Sequence, residues 1–168
     1  PPTDTPQEFE VNLVRAVAKL NITMNNALSE PITINGMSFG AFFGDCLYLF
    51  HEGSLDVPDD TDYAGMSYTD GINIPIEGNS SETLALYIYP SFAWKNAAQA
   101  SPYTIGFTTE AGGNYTQQAF VNDYGALNSI ARNTQVNISA TLRTDTHIEI
   151  NFEVVPWENN TVDVPPFN

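Results

Sequence analysis

The chain is poor in positive charge. Five Lys and Arg residues face twenty Asp and Glu residues, so the formal net charge is −15 at pH 7. A surface of this sign repels the phosphates of nucleic acids and the headgroups of anionic membranes. We therefore expect no nucleic-acid partner and no attachment to an anionic membrane surface.

Cysteine and histidine are equally scarce. The single cysteine, Cys46, has no partner for an intramolecular disulfide and forms no zinc site alone, so we interpret it as a small buried apolar residue. The two histidines lie far apart, without the spacing of metal ligands. Four carboxylates follow one another loosely, but they lack the glycine and terminal glutamate of an EF-hand loop, which favours a solvated loop: Asp56, Asp59, Asp60 and Asp62. We expect no metal and no cofactor.

Long hydrophobic runs are also missing. No apolar stretch is long enough to span a bilayer, and no signal peptide opens the chain. The proline-rich start predicts an extended N-terminal linker over residues 1–10, left by trimming of an export signal. We expect one β-sandwich domain over residues 11–158 and a C-terminal tail over residues 159–168.

What the chain has in abundance is period-two alternation. Apolar residues recur at every second position in Val136–Leu142 and again in Ile148–Val154, with polar residues between them. Thr144–Thr146 connects the two segments. This pattern predicts a hairpin with one apolar face and one solvated face.

Other segments extend the pattern. Leu84–Ile88 alternates, and we expect it to pair with the strand that contains Tyr103, Ile105 and Phe107. Val14–Met24 keeps one phase, which favours a strand, although Arg15–Leu20 alone also suits a helix. We interpret Phe39–Phe50 as a strand-bulge-strand and His51–Tyr68 as a long loop. A short helical turn is expected within Ser91–Pro102. The result is an all-β chain of about seven strands in a two-sheet β-sandwich.

One motif points to an enzyme. Gly36-Met37-Ser38-Phe39-Gly40 matches the G-x-S-x-G nucleophile elbow, and Asp123 and His147 follow it in hydrolase order. That elbow requires a helix after the serine and a βαβ framework, and the sequence predicts neither. No pair of carboxylates is distinguished by its spacing as a glycosidase pair either. We therefore predict that the chain is not an enzyme.

Two segments together resemble the fimbrillins of Bacteroidales, the type V pilin subunits. The first is Val11–Leu20, similar to a fimbrillin strand with an x-R-x-V-A-K pattern through Arg15 and Lys19. The second runs from Leu84 to Trp157 and includes Arg132-Asn133.

The resemblance implies a Greek-key or transthyretin-like sandwich, export as a lipoprotein precursor and polymerisation at the outer surface of the bacterial cell. In the family, a protease removes an N-terminal strand after an arginine, and a strand from a neighbouring subunit fills the groove. The cleavage role is not transferred to Arg15, which belongs to a core-like strand. The chain also departs from the usual two-domain length, and Cys46 is no lipobox cysteine.

Three open alternatives follow from the resemblance. The tail residues Val162, Val164 and Phe167 suit an intermolecular donor strand, or equally a strand of the chain's own sandwich or a frayed end. Arg132 and Asn133 suit a turn or a salt link between loops, with ligand recognition as the alternative. The molecule itself suits a pilus subunit bound to other pilins, or an adhesin or surface lipoprotein domain that binds a host glycan or protein. Exposed loop aromatics would favour the adhesin: Tyr63, Tyr68 and Trp94.

Overall fold

The computed structural model describes residues 14–50, 57–58, 60–92, 101–123, 125–143 and 147–158. Within these ranges the chain forms eleven strands and no helix. The strands are β1 (Ala18–Asn26), β2 (Ile32–Gly44), β3 (Tyr63–Tyr68), β4 (Ile74–Ile76), β5 (Ser81–Ile88), β6 (Thr104–Thr109), β7 (Asn114–Ala119), β8 (Val121–Asn122), β9 (Gly125–Ala126), β10 (Thr134–Leu142) and β11 (Ile148–Pro156). No helix in the part described is long and apolar enough to cross a bilayer.

A four-stranded sheet has the order β11-β10-β1-β5. The hairpin β10–β11 confirms the prediction from alternation, with Val136 opposite Val154 and Leu142 opposite Ile148. Strand β1 runs antiparallel to β5 but parallel to β10, where Leu20 lies opposite Val136. The first and the penultimate strands of the described chain therefore form the centre of this sheet.

The second sheet has the order β3-β2-β6-β7, and β4 pairs with the first residues of β2. Strand β2 is interrupted twice, by a register shift against β6 between Ile34 and Gly36 and by another against β3 between Phe39 and Phe43. At the second shift Ala41 has a φ of 56°. Each irregularity changes which residues face inward, so that Met37, Phe39 and Phe42 are all buried. Strands β8 and β9 form a separate two-stranded ribbon.

The core lies between the two sheets. Strand β1 buries every second residue from Ala18 to Asn26, and β10 does the same from Val136 to Leu142. Aromatic rings from the second sheet and its loops complete the packing, and Phe120 contacts Phe152 across the sandwich at 5.6 Å between ring centroids. The prediction of an all-β sandwich is confirmed.

Several local predictions are wrong. Strand β6, which holds Ile105 and Phe107, pairs with β2 and β7, whereas β5 pairs with β1. Alternation identifies a strand but not its partner. The predicted loop His51–Tyr68 ends in strand β3, whose mostly exposed residues show no alternation.

Strand boundaries also differ from the predictions. The strand predicted from Val14 begins at Ala18, and Val14 is exposed. The bulge predicted within Phe39–Phe50 is present, but the strand ends at Gly44. The count exceeds seven partly because three strands have only two or three residues. Most of the expected helical turn in Ser91–Pro102 lies outside the described residues.

Candidate functional site

Three of the motif residues meet at the end of the four-stranded sheet where β1 begins. Asn133 has a φ of 55°, a left-handed conformation that asparagine tolerates better than most residues. Its N–H donates to Val17 O at 3.0 Å, and its carbonyl accepts the Trp157 N–H at 3.0 Å. Arg15 Nη1 donates to Asn133 Oδ1 at 3.1 Å. Asn133 thus connects the lead into β1 with the end of β11.

Aromatic contacts continue this cluster. The Arg15 guanidinium carbon lies 4.4 Å from the centroid of the Trp157 ring, a cation–π contact. Trp157 and Tyr87 are nearly parallel, with 5.7 Å between centroids and 15° between planes. Tyr87 remains 64% exposed. The cluster therefore holds an ordered aromatic pair at the surface.

Lys19 lies beside the pair, on the outer face of the sheet. Its register partners are Tyr87 on β5 and Gln135 on β10. A groove of about 750 Å³ is lined by Lys19, Gln135, Asn137, Val155, Pro156, Trp157 and Glu158. It meets at Asn137 a shallower depression of about 300 Å³ that Asn21, Thr23, Ser139 and Asn151 help to line.

Arg132 lies outside this cluster and binds a different segment of the chain. Its side chain is buried, with 8% of its surface exposed, and it donates to the carbonyls of Tyr48 at 2.5 Å and Leu49 at 3.2 Å. These carbonyls belong to the segment that follows β2. Arg132 thus connects the residues before β10 to the segment after β2 through peptide carbonyls, whereas the sequence suggests a turn or a salt link between loops.

A second groove follows the edge strand β11. This edge groove, of about 570 Å³, is lined by Gly125, Ala126, Leu127, Asn128, Ser129, Phe152, Glu153 and Val154. Val154 is 44% exposed although it belongs to the inward phase of β11. An apolar side chain on the inner phase of an edge strand is therefore partly open to solvent.

The backbone of β11 also faces this groove. At one end of the hairpin the Trp157 N–H donates to the carbonyl of Asn133, and at the other the backbone N–H of Arg143 donates to the carbonyl of His147 at 3.3 Å. These two bonds fix which residues of β11 are hydrogen-bonded to β10. Because antiparallel pairing alternates, the N–H groups of Ile150 and Val154 point away from β10. They line the outer edge of the sheet.

The nucleophile-elbow motif has a structural explanation. Ser38 lies in the middle of β2, paired with Ser67 on β3 and Gly106 on β6, and no helix follows it. A Cβ added at Gly36 or Gly40 would collide with the Oγ1 atom of a threonine on β6. The two glycines therefore allow close packing of side chains on the sheet surface. The strand-turn-helix geometry of a hydrolase serine is not present here.

Cys46 is only half-buried, so the prediction of a buried apolar residue is wrong. Its Sγ lies 3.3 Å from Thr61 Oγ1 in a hydrogen bond. That bond lowers the pKa of the thiol, but a hydrogen bond with Asp45, partial desolvation and the charges of Asp45 and Asp60 outweigh it and raise the pKa above its ordinary value. A raised pKa keeps the thiol protonated and poorly nucleophilic at neutral pH.

Two of the three aromatics named for the adhesin alternative, Tyr63 and Tyr68, are partly buried. Tyr68 packs its ring against Phe39 and Phe43, and the Tyr63 hydroxyl accepts the Phe92 N–H at 3.0 Å. Both residues belong to β3 rather than to a loop. Trp94, the tail residues Val162, Val164 and Phe167, and the acidic residues Asp56 and Asp59 lie outside the described residues. No group of three metal-ligating side chains occurs among the residues described.

Sequence reasoning missed Tyr87 and the edge groove. The signal for Tyr87 was its place in the solvated phase of an alternating strand, where a large aromatic ring is unusual. Val154 carries no such signal, because its exposure follows from the position of β11 at the edge of the described four-stranded sheet.

Comparison with known proteins gives a family match. A protein-family model, described as fimbrillin-A associated anchor proteins Mfa1 and Mfa2, matches residues 1–163 of the chain. No curated protein sequence shows a significant match to the chain.

Several solved structures match most of this chain, and three of them are from Porphyromonas, Bacteroides and Parabacteroides. The tip fimbrial protein Mfa3 of Porphyromonas gingivalis, with a C-terminal truncation, is 15% identical over 86% of this chain and 52% of its own, with a TM-score of 0.47. Proteins described as candidate cell adhesion proteins from Bacteroides uniformis and Parabacteroides distasonis are each 12% identical, with TM-scores of 0.43. They are covered over 52% and 54% of their length, against 86% and 89% of this chain. The chain thus spans about half the length of these structures.

Proposed function

The chain belongs to the family of fimbrillin-A associated anchor proteins, and from this premise we propose that it is a non-catalytic subunit of a cell-surface fimbrium. It is exported, resides at the bacterial outer surface and contacts other fimbrial subunits. Within it, residues 11–158 form the sandwich domain, residues 1–10 a linker and residues 159–168 a tail. Ser38 supports the non-catalytic assignment, because its motif serves packing within β2.

Assembly proceeds by β-strand addition at the edge of β11. The observation that carries this proposal is the edge groove, where outward N–H groups of β11 lie beside the partly exposed apolar side chain of Val154. An incoming strand would form ladder hydrogen bonds with the N–H groups of β11 and would pack its side chains against Val154. Leu127 also lines this groove, but it is already buried, so Val154 is the main exposed apolar contact.

The donor in this proposal is the C-terminal tail of another copy or of a related subunit. Val162 and Val164 alternate with Asp163, so they present two apolar side chains to one face. Phe167 adds an anchor near the end. Such a tail suits a groove whose inner wall is apolar and whose rim carries Glu153 and Asn128.

A proline substitution tests the acceptor edge. Val154→Pro removes an N–H that points away from β10, so the hairpin keeps its own hydrogen bonds while an added strand loses one. Pro156 already occupies the same phase of β11. We expect the amount of chain recovered in fimbriae sheared from the producing cells to fall at least about fivefold, with one ladder bond and its strand register lost.

The matched control is Val154→Thr, which keeps the N–H and the branched shape and should retain assembly. Circular dichroism melting of both variants separates assembly from folding. Normal fimbriae from a folded Val154→Pro variant would show that β11 is not the acceptor.

Removal of the tail tests the donor. We expect deletion of residues 160–168 to leave the sandwich folded and to abolish fimbriae, since the eleven strands lie within residues 18–156. A full-length variant with Val162 and Val164 both changed to Asp should have the same effect, whereas Asp163→Asn should not. Polymers of normal length from the deleted chain would rule out the donor role.

A further inference from the structure

The outer surface of the four-stranded sheet combines an aromatic pair, in which Tyr87 is exposed and Trp157 half-buried, with an array of amide side chains. We define this polar face by six residues: Lys19, Asn21, Tyr87, Gln135, Asn137 and Trp157. We propose that the polar face binds a neutral oligosaccharide. This inference goes beyond the role in a fimbrium. It rests on outward side chains of β1, β5 and β10, whereas strand addition uses the backbone edge of β11, although Glu153 lines both the edge groove and the depression beside the polar face.

The aromatic pair supplies the stacking surface. Tyr87 exposes most of its ring, while Arg15 covers one face of Trp157 and the parallel ring contact holds the pair in place. The faces of aromatic rings carry negative charge density, and the C–H groups of a pyranose ring are weakly positive, so the two surfaces attract and exclude water. Because the contact with Trp157 already restricts the Tyr87 side chain, a ligand that stacks on Tyr87 causes no further loss of its conformational entropy.

The space beside Tyr87 is open. Ala85, two residues earlier on β5, points to the same face and is exposed. Its small side chain leaves room for a sugar ring over the sheet. Asn21 lies opposite Ala85 on β1, and Asn137 lies opposite Asn21 on β10. A ligand placed on Ala85 is therefore next to two amides.

The amides match the hydroxyl pattern of a sugar. Side chains on one face of a sheet repeat at about 4.8 Å across strands and about 6.7 Å along them, spacings comparable to those between hydroxyls on one hexopyranose or on adjacent units. Gln135 Nε2 donates to Asn137 Oδ1 at 2.6 Å. This bond orients both groups and leaves the Asn137 amide nitrogen and the Gln135 carbonyl oxygen for hydroxyls of a ligand.

Charge selects a neutral ligand. Glu158 lines the same groove, Glu153 lines the adjoining depression, and the whole chain carries a net charge of −15. Lys19 and Arg15 give two cations against these two carboxylates, so the site itself is close to neutral while the rest of the chain is strongly acidic. The negative charge of the protein would repel a sulfated or carboxylated glycan but not a glycan that carries only neutral hydroxyls.

The experiment uses the full 168-residue chain and a printed array of neutral oligosaccharides that contain glucose, galactose, mannose and N-acetylated hexosamines. The best array ligand is then titrated by isothermal calorimetry. We expect Tyr87→Ala to weaken its binding by about tenfold or more and Asn137→Ala by about threefold, because stacking and one hydrogen bond are lost. Tyr87→Phe, which keeps the ring, should bind within about twofold of the native chain.

Two controls locate the site. Thr141→Ala changes a residue on the same strand and face but four positions from Asn137, and Phe50→Ala removes an exposed aromatic ring elsewhere. Both should leave binding unchanged, as should an increase from about 50 to about 500 mM NaCl. The absence of binding to any neutral glycan, equal losses in the controls, or binding that salt abolishes would each overturn the proposal. Fimbriae assembled normally by Tyr87→Ala would show that the two functions are separate.

Discussion

At the scale of single residues, two neighbouring positions have distinct tasks. Arg132 reaches inward to the carbonyls of Tyr48 and Leu49, while Asn133 turns the backbone and receives the Arg15 side chain. A buried arginine is stable only where its charge meets acceptors, and peptide carbonyls provide them here. The pair therefore anchors two different segments to the start of β10.

The anchoring role of Arg132 predicts a measurable loss of stability. We expect Arg132→Ala to lower the free energy of unfolding by about 2–3 kcal/mol, because two carbonyls lose charge-assisted hydrogen bonds in a buried setting. Arg143→Ala is the control, since its ion pair with Glu149 is about half exposed on both sides, at 52% and 51%, and is worth less than about 1 kcal/mol. Urea unfolding followed by tryptophan fluorescence would measure both. Equal losses would contradict the anchor.

At the scale of strands and turns, the crossing from β4 to β5 depends on close backbone approach. Gly78 lies between the two strands, which belong to different sheets, and a Cβ there would overlap the carbonyl oxygen of Ser29. Next to it the buried Asn26 side chain donates to the carbonyls of Glu30, Ile76 and Glu77. The crossing is thus fixed by a glycine and one asparagine.

We expect Gly78→Ala to destabilise the chain by about 2 kcal/mol. Alanine reduces the entropy of the unfolded chain, which alone would stabilise by about 0.4–1 kcal/mol, but a clash with backbone cannot be relieved by a rotamer change and costs more. Ser80→Ala, in the same turn, should change stability by less than about 0.5 kcal/mol. A thermal melt compares the two variants, and an unchanged or raised Tm for Gly78→Ala would refute the close approach.

The sequence predicts which segments are strands better than it predicts which strands pair with one another. The hairpin β10–β11 is readable because its strands are adjacent, alternate fully and need only a short connection. Strand β5 is equally clear as a strand, yet its partner β1 lies about sixty residues earlier, and nothing in Leu84–Ile88 distinguishes β1 from β6. Strand β3 escapes prediction because it is a mostly exposed edge, where selection for burial leaves no pattern.

The candidate site divides in the same way. Arg15, Asn133 and Trp157 were recognised through family resemblance, and the structure brings them together. Their convergence with Tyr87 requires the parallel pairing of β1 with β10, which no local pattern encodes. Val154 lines a groove because β11 is the outermost of the described strands in its sheet, which depends on the strand order and not on the residue itself.

At the scale of the whole molecule, the charge opposes association. Two copies that each carry −15 repel one another, and this repulsion is screened over about 10 Å at 0.1 M salt. We expect the rate of assembly, measured by light scattering of the purified chain, to rise severalfold between about 20 and about 300 mM NaCl. Sucrose at equal osmolality is the control. A rate that falls with salt would mean that oppositely charged patches, rather than apolar fit, bring the copies together.

The parallel pair β1–β10 has a further consequence for how the protein matures. Lys19 is aligned with Gln135, so more than a hundred residues separate the two central strands of one sheet. A nascent chain that has not yet reached residue 134 contains β1 with only β5 beside it. Closure of so long a loop is a slow, non-local step. The four-stranded sheet therefore closes late, only once residues 134–142 are available to pair with β1, and the inner edge of β1 stays exposed until then.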